Sequence, residues 1–204
     1  IRGLIGENGS GKSTIMSIAS GMQPATSGEM TYKGKPWAPK TMLEAQNGGI
    51  AMILQESNTI PGVTVAENLY AGREKEFAKF GFINMRKMYK AADEVLAKFN
   101  ITGFKGSTKI NTLSFETRKL IEIIRAMEKD PDILVVDETT TALSFDGREI
   151  LYQIIKDMAA NDKAVVFISH DLDEIMARCT HVTVLRDGEI IDTLAKSRFE
   201  KEKI

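Results

Sequence analysis

The chain has 204 residues, 43% of them hydrophobic and 27% charged. A chain of this length buries about 70% of its unfolded surface and needs no disulfide or metal staple. Its 27 Lys and Arg against 28 Asp and Glu leave a net charge of −1, so no global field draws it to nucleic acid, which is not an expected partner.

In chain order, residues 1–5 read as a short buried strand that runs straight into a glycine-rich turn, so the natural N-terminus is expected upstream of Ile1. Residues 13–20 read as a helix stopped by Gly21. Residues 29–32 and those after Lys35 form a hairpin around Gly34, and 49–54 is another buried strand. From Val63 to about Thr112, Met, Phe, Lys and Glu recur near a 3.6-residue spacing, which predicts a helical insert. Ser114 then caps a helix with Leu120, Ile121, Ile123, Ile124 and Met127 on one face and Arg118, Glu122, Arg125 and Lys129 on the other; Asp130-Pro131 ends it.

Residues 133–136 are an apolar run of the kind covered by helices on both faces. A helix over 146–160, a strand over 164–168, a helix over 172–179 and a hairpin of 181–185 with 189–193, closed at Asp187-Gly188, complete the chain. The apolar runs are four or five residues long, where a membrane span needs about 20. Cys179 has no partner for an internal disulfide, fits a reducing compartment and reads as a small helix residue. The alternation predicts an α/β fold, a mainly parallel sheet flanked by helices, with core parts at 1–62 and 131–204 around a helical part at 63–130.

Gly6-Glu7-Asn8-Gly9-Ser10-Gly11-Lys12-Ser13-Thr14 fits G-x-x-x-x-G-K-[ST] between a predicted strand and a predicted helix. Glycines let successive backbone N–H groups and a helix N-terminus face a phosphate. Lys12 then reaches the β- and γ-phosphates of a nucleotide such as ATP, and Ser13 offers its hydroxyl to Mg²⁺. The bland alternative is a flexible Gly/Ser linker.

The strand at 133–136 runs into Asp137 and Glu138, at the strand end where open α/β sheets bind ligands. Asp137 suits Mg²⁺ and Glu138 suits a general base for water, although an acidic pair there also fits a helix N-terminus. Gln55 and His170 end two further strands; by themselves they read equally as a loop glutamine and a helix-capping histidine. His181 opens a hairpin strand and is assigned no role.

The order of these motifs, with Leu113-Ser114 before a helix and Ile168-Ser169-His170 after a strand, resembles the nucleotide-binding domain of ABC transporters over essentially the whole chain. It is most similar to the first ATP-binding half of fused simple-sugar importers of the ribose, galactoside and xylose type. The stretches that carry this are Gly6-Glu7-Asn8-Gly9, Gln55-Glu56, Thr64-Val65-Ala66-Glu67-Asn68 with Gly72-Arg73-Glu74, 169–175 and 182–189.

The resemblance implies a P-loop NTPase core with an ABC-type α-helical subdomain. It implies that Gln55 links Mg²⁺ and the attacking water to a coupling helix of the membrane subunit. Glu138 would be the catalytic base, Thr141, Ala142, Leu143 and Ser144 the D-loop, and His170 the switch histidine at the γ-phosphate. ATP would be sandwiched between this P-loop and the signature of a second nucleotide-binding domain, in a fused C-terminal half, so hydrolysis requires a dimer. Implied partners are integral membrane permease subunits and, indirectly, a periplasmic or extracellular solute-binding protein. The implied location is peripheral, at the cytoplasmic face of the cell membrane, and the implied activity is ATP hydrolysis that drives uptake of a simple sugar or similar solute.

Three departures stand against the family pattern. The signature L-S-G-G-Q is Leu113-Ser114-Phe115-Glu116-Thr117 here, which removes both glycines and adds a carboxylate. Two like unit charges at 4 Å repel by about 4 kcal/mol at an effective dielectric of 20, so this signature is expected to serve a non-hydrolytic site. Thr139 stands where the family has proline and is expected to loosen that turn. The aromatic that stacks on adenine in the family precedes the first strand and lies outside this sequence. Among rivals, a soluble ABC-type ATPase acting on nucleic acid or ribosomes would carry basic patches or long coiled-coil inserts. A P-loop GTPase would carry N-K-x-D and D-x-x-G, which the chain lacks. A purely structural role would leave the chain unresponsive to nucleotide.

Overall fold

A computed structural model describes residues 1–199. In chain order the elements are β1 (Arg2–Ile5), α1 (Lys12–Ala19), β2 (Thr31–Tyr32), β3 (Lys35–Pro36), α2 (Met42–Asn47), β4 (Ile50–Ile53), α3 (Val65–Leu69), β5 (Ala78–Lys79), β6 (Phe82–Ile83) and α4 (Met85–Lys98). They continue with α5 (Phe115–Met127), β7 (Ile133–Asp137), α6 (Phe145–Ala160), β8 (Ala164–Ile168), α7 (Leu172–Arg178), β9 (His181–Arg186) and β10 (Glu189–Ala195). Among the described residues, no helix is long and apolar enough to cross a membrane.

The chain divides into two compact units. One comprises Ile1–Gln55, Asp130–Thr139 and the chain from Tyr152 onward; the other comprises Glu56–Lys129 and Thr140–Leu151. Residues 140–151, read from the sequence as core, thus cluster with the helical unit.

In the first unit a six-stranded sheet has the order β10-β9-β1-β8-β7-β4. Every pairing is parallel except that of β9 with β10. Its inner strands are runs of Leu, Ile and Val because both faces are covered: Leu4, Met52, Val135, Ile168 and Leu185 form a buried cluster, with Met16 and Leu54 packed on it. The registers align strand ends. Ile53 lies opposite Val136 and Asp137 opposite Ile168, so Gln55, Glu138 and Ser169 leave the sheet at one edge. The hairpin of β9 and β10 turns at Asp187 and Gly188, both at positive φ, as an Asp-Gly hairpin requires.

In the second unit α3, α4 and α5 enclose Val65, Leu69, Phe77, Met88, Leu96, Ile121 and Ile124. Thr64 opens α3 with a capping box: its hydroxyl accepts from the Glu67 N–H at 3.3 Å, and the Glu67 carboxylate accepts from the Thr64 N–H at 2.7 Å.

Two sequence expectations change here. The insert is not purely helical, because β5 and β6 form a hairpin whose turn residues Phe80 and Gly81 have φ of 51° and 83°; Gly81 supplies the conformation that interrupts the helical period. Nor does α5 have a fully solvated outer face. Lys119 is 0% and Glu122 5% exposed. Lys119 Nζ donates to Glu122 at 2.8 Å and to the Glu56 carbonyl at 2.9 Å, while Glu122 accepts from the Ser57 hydroxyl at 2.8 Å and the Asn58 N–H at 2.5 Å. Burial is tolerated because the pair is neutralised and hydrogen-bonded on both sides.

Candidate functional site

The loop between β1 and α1 is shaped by glycines used for different reasons. A Cβ on Gly6 would lie 2.0 Å from the Leu185 carbonyl oxygen, so close packing against β9 excludes a side chain there. Gly9 has open space around it but sits at φ 84°, so conformation alone selects it. The Ser10 N–H donates to the Glu7 carbonyl at 3.1 Å, and the Gly188 N–H donates to the Ser10 carbonyl at 3.2 Å, so the β9–β10 turn braces the loop. Gly11 caps α1 without a side chain, which leaves the helix N-terminus open to an anion.

Lys12 is buried and folded over its own loop. Its ammonium donates to the carbonyls of Gly6 and Glu7, each at 2.8 Å, and to Ser10 Oγ at 3.4 Å. Asn8, Gly9, Gly11, Lys12, Ser13 and Thr14 line a cleft of about 360 Å³ whose remaining walls are Gln55 and Glu138.

Asp137 is the buried last residue of β7. Burial holds its carboxyl above the ordinary value, reinforced by the charge of Glu138 and opposed by a Ser13 hydrogen bond and the charge of Lys12. Its Oδ1 is buried and accepts from no group. Glu138 follows at φ 43°, an unusual conformation for a non-glycine residue, and is pinned by its N–H donating to the Ile168 carbonyl at 3.0 Å. Gln55 Nε2 donates to Glu138 Oε2 at 3.0 Å, and His170 Nδ1 lies 3.5 Å from the same oxygen.

Lys12, Ser13, Gln55, Asp137, Glu138 and His170 therefore meet at one edge of the sheet. His181 does not: it pairs with Arg2 at the opposite end of β1. The bland reading of His170 does not describe its place, whereas Glu138 does stand directly before the 3₁₀ turn of Thr139–Ala142. Asp137 closes a strand, and Asp171, not His170, caps α7 by accepting from the N–H groups of Asp173 and Glu174. Thr139 does not loosen its turn: it is buried, and its hydroxyl donates to the Asp137 carbonyl at 3.2 Å, a bond proline cannot make.

The second unit holds Leu113 to Thr117 at the start of α5. Ser114 caps the helix by accepting from the Thr117 N–H at 3.1 Å, and Phe115 is exposed. Glu116 accepts from the Ser144 N–H at 3.0 Å and from the Ser144 hydroxyl. Ser144 in turn accepts from the Gly147 N–H at 3.3 Å at the start of α6. A Cβ on Gly147 would stand 2.6 Å from Glu116 Oε1. Thr141 and Ala142 lie in a 3₁₀ turn, and Leu143 is buried.

Sequence reasoning missed the bracing of the loop by Leu185 and Gly188, which no local pattern signals across some 180 residues. It also missed the link from Glu116 to Ser144, for which Gly147 near a helix start was the one available sign.

The family model described as "ABC transporter" matches residues 1–141. The ribose import ATP-binding protein RbsA of Halalkalibacterium halodurans is 38% identical over 203 residues, 98% of this chain and 40% of that protein. The protein of the same name from Shouchella clausii is 37% identical over 203 residues, again 98% and 40%. The chain thus spans about two-fifths of the length of these curated relatives. A solved ATP-binding cassette, a dimer in a post-hydrolysis state bound to ADP and Pi, superimposes with a TM-score of 0.78 at 26% identity, covering 98% of this chain and 86% of that one.

Proposed function

The chain belongs to the ABC transporter family, and from that premise we propose that it binds and hydrolyses ATP to power uptake of a simple sugar or similar small solute through a membrane permease. The observation that carries the reading is the Glu138 carboxylate, set on a backbone at φ 43°, held by Gln55 and beside His170, in the same cleft as Asn8, Gly9 and Gly11 to Thr14 of the glycine-rich loop. The names of the relatives support the solute class; their greater length supports a second nucleotide-binding domain as partner.

The residues fit a nucleotide with Mg²⁺. Asp137 keeps a buried oxygen without a donor, its neighbour Ser13 has a hydroxyl, and their arrangement suits a hard cation with oxygen ligands. Mg²⁺ held there by Ser13 and Asp137, with Gln55 completing the set, would neutralise charge on the phosphates. Lys12 exchanges its bonds to the Gly6 and Glu7 carbonyls for phosphate oxygens. The open N–H groups of the loop and of α1 orient the anion. Glu138 accepts the proton of the attacking water, and Gln55 and His170 fix which carboxylate oxygen faces it.

The signature end of the chain supports a division of labour. Leu113 to Thr117 lacks the glycines that expose backbone N–H groups, Ser114 already takes one donor of α5, and Glu116 adds a carboxylate in its first turn. The P-loop then works against an intact signature on the second domain, at the cytoplasmic face of the membrane. In the complete transporter, Glu138→Gln should lower ATP turnover by about 10²-fold to 10⁴-fold while nucleotide-dependent thermal stabilisation persists. Normal turnover in that variant overturns the reading.

A further inference from the structure

The near-neutral balance of the whole chain hides a local one. Residues 75–90 carry Lys75, Lys79, Arg86, Lys87 and Lys90 against a single acidic residue, Glu76. Glu76 is already engaged by Arg73 and Lys129. Lys90 lies 3.8 Å from Glu94, whereas Lys75, Lys79, Arg86 and Lys87 have no ion-pair partner among the described residues. Within this stretch the hairpin of β5 and β6 presents its apolar residues outward: Phe80 is 90% and Phe82 81% exposed, and Ile83 is also exposed.

The turn makes this display costly. Phe80 sits at φ 51°, a left-handed conformation that a bulky aromatic rarely adopts, and gains no core contact in return. Asn or Gly would build the same turn at lower cost. Phe82 stands opposite Lys79 on the ladder, and the Lys79 ammonium lies 5.4 Å from the centre of the Phe80 ring. The tip is therefore aromatic and cationic at once.

We propose that the β5–β6 hairpin is a contact with the anionic phospholipid surface of the membrane, in which Phe80, Phe82 and Ile83 enter the headgroup boundary and the surrounding lysines and Arg86 meet lipid charge. Two observations favour lipid over a protein groove. The three side chains offer on the order of 400 Å², about half of what one partner contributes to a stable protein interface. Lys75, Lys79, Arg86 and Lys87 are long, exposed and without an ion-pair partner among the described residues, which suits a fluid layer of anions rather than one stereospecific acceptor. The contact is independent of the nucleotide chemistry and adds a direct lipid anchor to a domain otherwise tied to the membrane through its permease.

Flotation of the purified protein with vesicles tests it. Vesicles of phosphatidylcholine with phosphatidylglycerol should carry the chain upward, vesicles of phosphatidylcholine alone should carry far less, and raised salt should weaken binding. Phe80→Ser with Phe82→Ser, and separately Lys75→Glu with Lys79→Glu, should each lower the partition coefficient at least tenfold, while nucleotide-dependent thermal stabilisation stays unchanged and reports intact folding. Equal flotation of wild type and both double variants overturns the proposal, as does failure of the wild type to float on anionic vesicles. Binding confined to vesicles that hold the permease also overturns it, in favour of a protein partner.

Discussion

Two helix starts in this chain, α1 and α5, treat their backbone donors in opposite ways. Gly11 caps α1 with no side chain, so the donors face a cleft. At α5, Ser114 closes one donor and Glu116 brings a carboxylate of the chain's own, locked onto Ser144 across the space that Gly147 leaves empty. The field of a helix terminus is similar in both cases. What differs is whether a side chain of the chain itself has already taken a donor, as Ser114 has at α5 and none has at α1.

Substitutions at each end can break this comparison, and the largest effect is expected at Gly6. Gly6→Ala places a methyl 2.0 Å from the Leu185 carbonyl and should cost about 3 kcal/mol or more, visible as a lower urea midpoint and loss of the ATP-dependent shift. Retention of both would mean that the loop is not clasped by β9.

Asp137→Asn separates the empty fold from the loaded one. The folded pKa of Asp137 is raised above its unfolded value of 3.8, so the folded state holds the proton more tightly and stability falls as pH rises from about 4 through the folded value. At neutral pH the variant should therefore be the more stable without nucleotide, by a few degrees at about 2–4 °C per kcal/mol. The gap should close below pH 4, and the order should reverse when ATP and Mg²⁺ are added. Melting curves across pH, with and without ligand, check all three signs.

At the other helix, Glu116→Ala removes an exposed hydrogen-bonded link and should lower stability by only about 0.5–1.5 kcal/mol, leaving the ATP-dependent shift intact. Loss of that shift would mean that the two helix starts are not independent. The smallest functional effect belongs to Cys179, whose thiol burial pushes up to about 12. Its alkylation at pH 8 should be about 10³-fold slower in the native chain than in the unfolded one, with nucleotide binding unaffected.

The legible parts of the molecule were those whose cause lies within a short window. The glycine spacing at Gly6 to Gly11, the apolar runs ending at Gln55, Asp137 and Ser169, and the Asp187-Gly188 turn each announce themselves because backbone sterics and burial act over a few residues. The rest depends on residues far apart. Glu122 read as solvent-facing because its partners, Ser57 and Asn58, lie more than 60 residues away. Thr139 read as a loss because the carbonyl it binds is invisible in a string of letters. Glu116 read as an intruder near phosphate, yet it already has a partner in Ser144.

The place of β1 bears on biosynthesis. Arg2–Ile5 lies between β8 and β9, and the phosphate loop that follows it rests on Leu185 and Gly188. The phosphate loop that follows β1 thus waits for the β9–β10 hairpin before it closes, a long-range closure of the kind that slows folding. A growing chain has no finished cradle for the loop until the β9–β10 hairpin has emerged, so a nucleotide would be a ligand of the folded unit and not a template for its early folding.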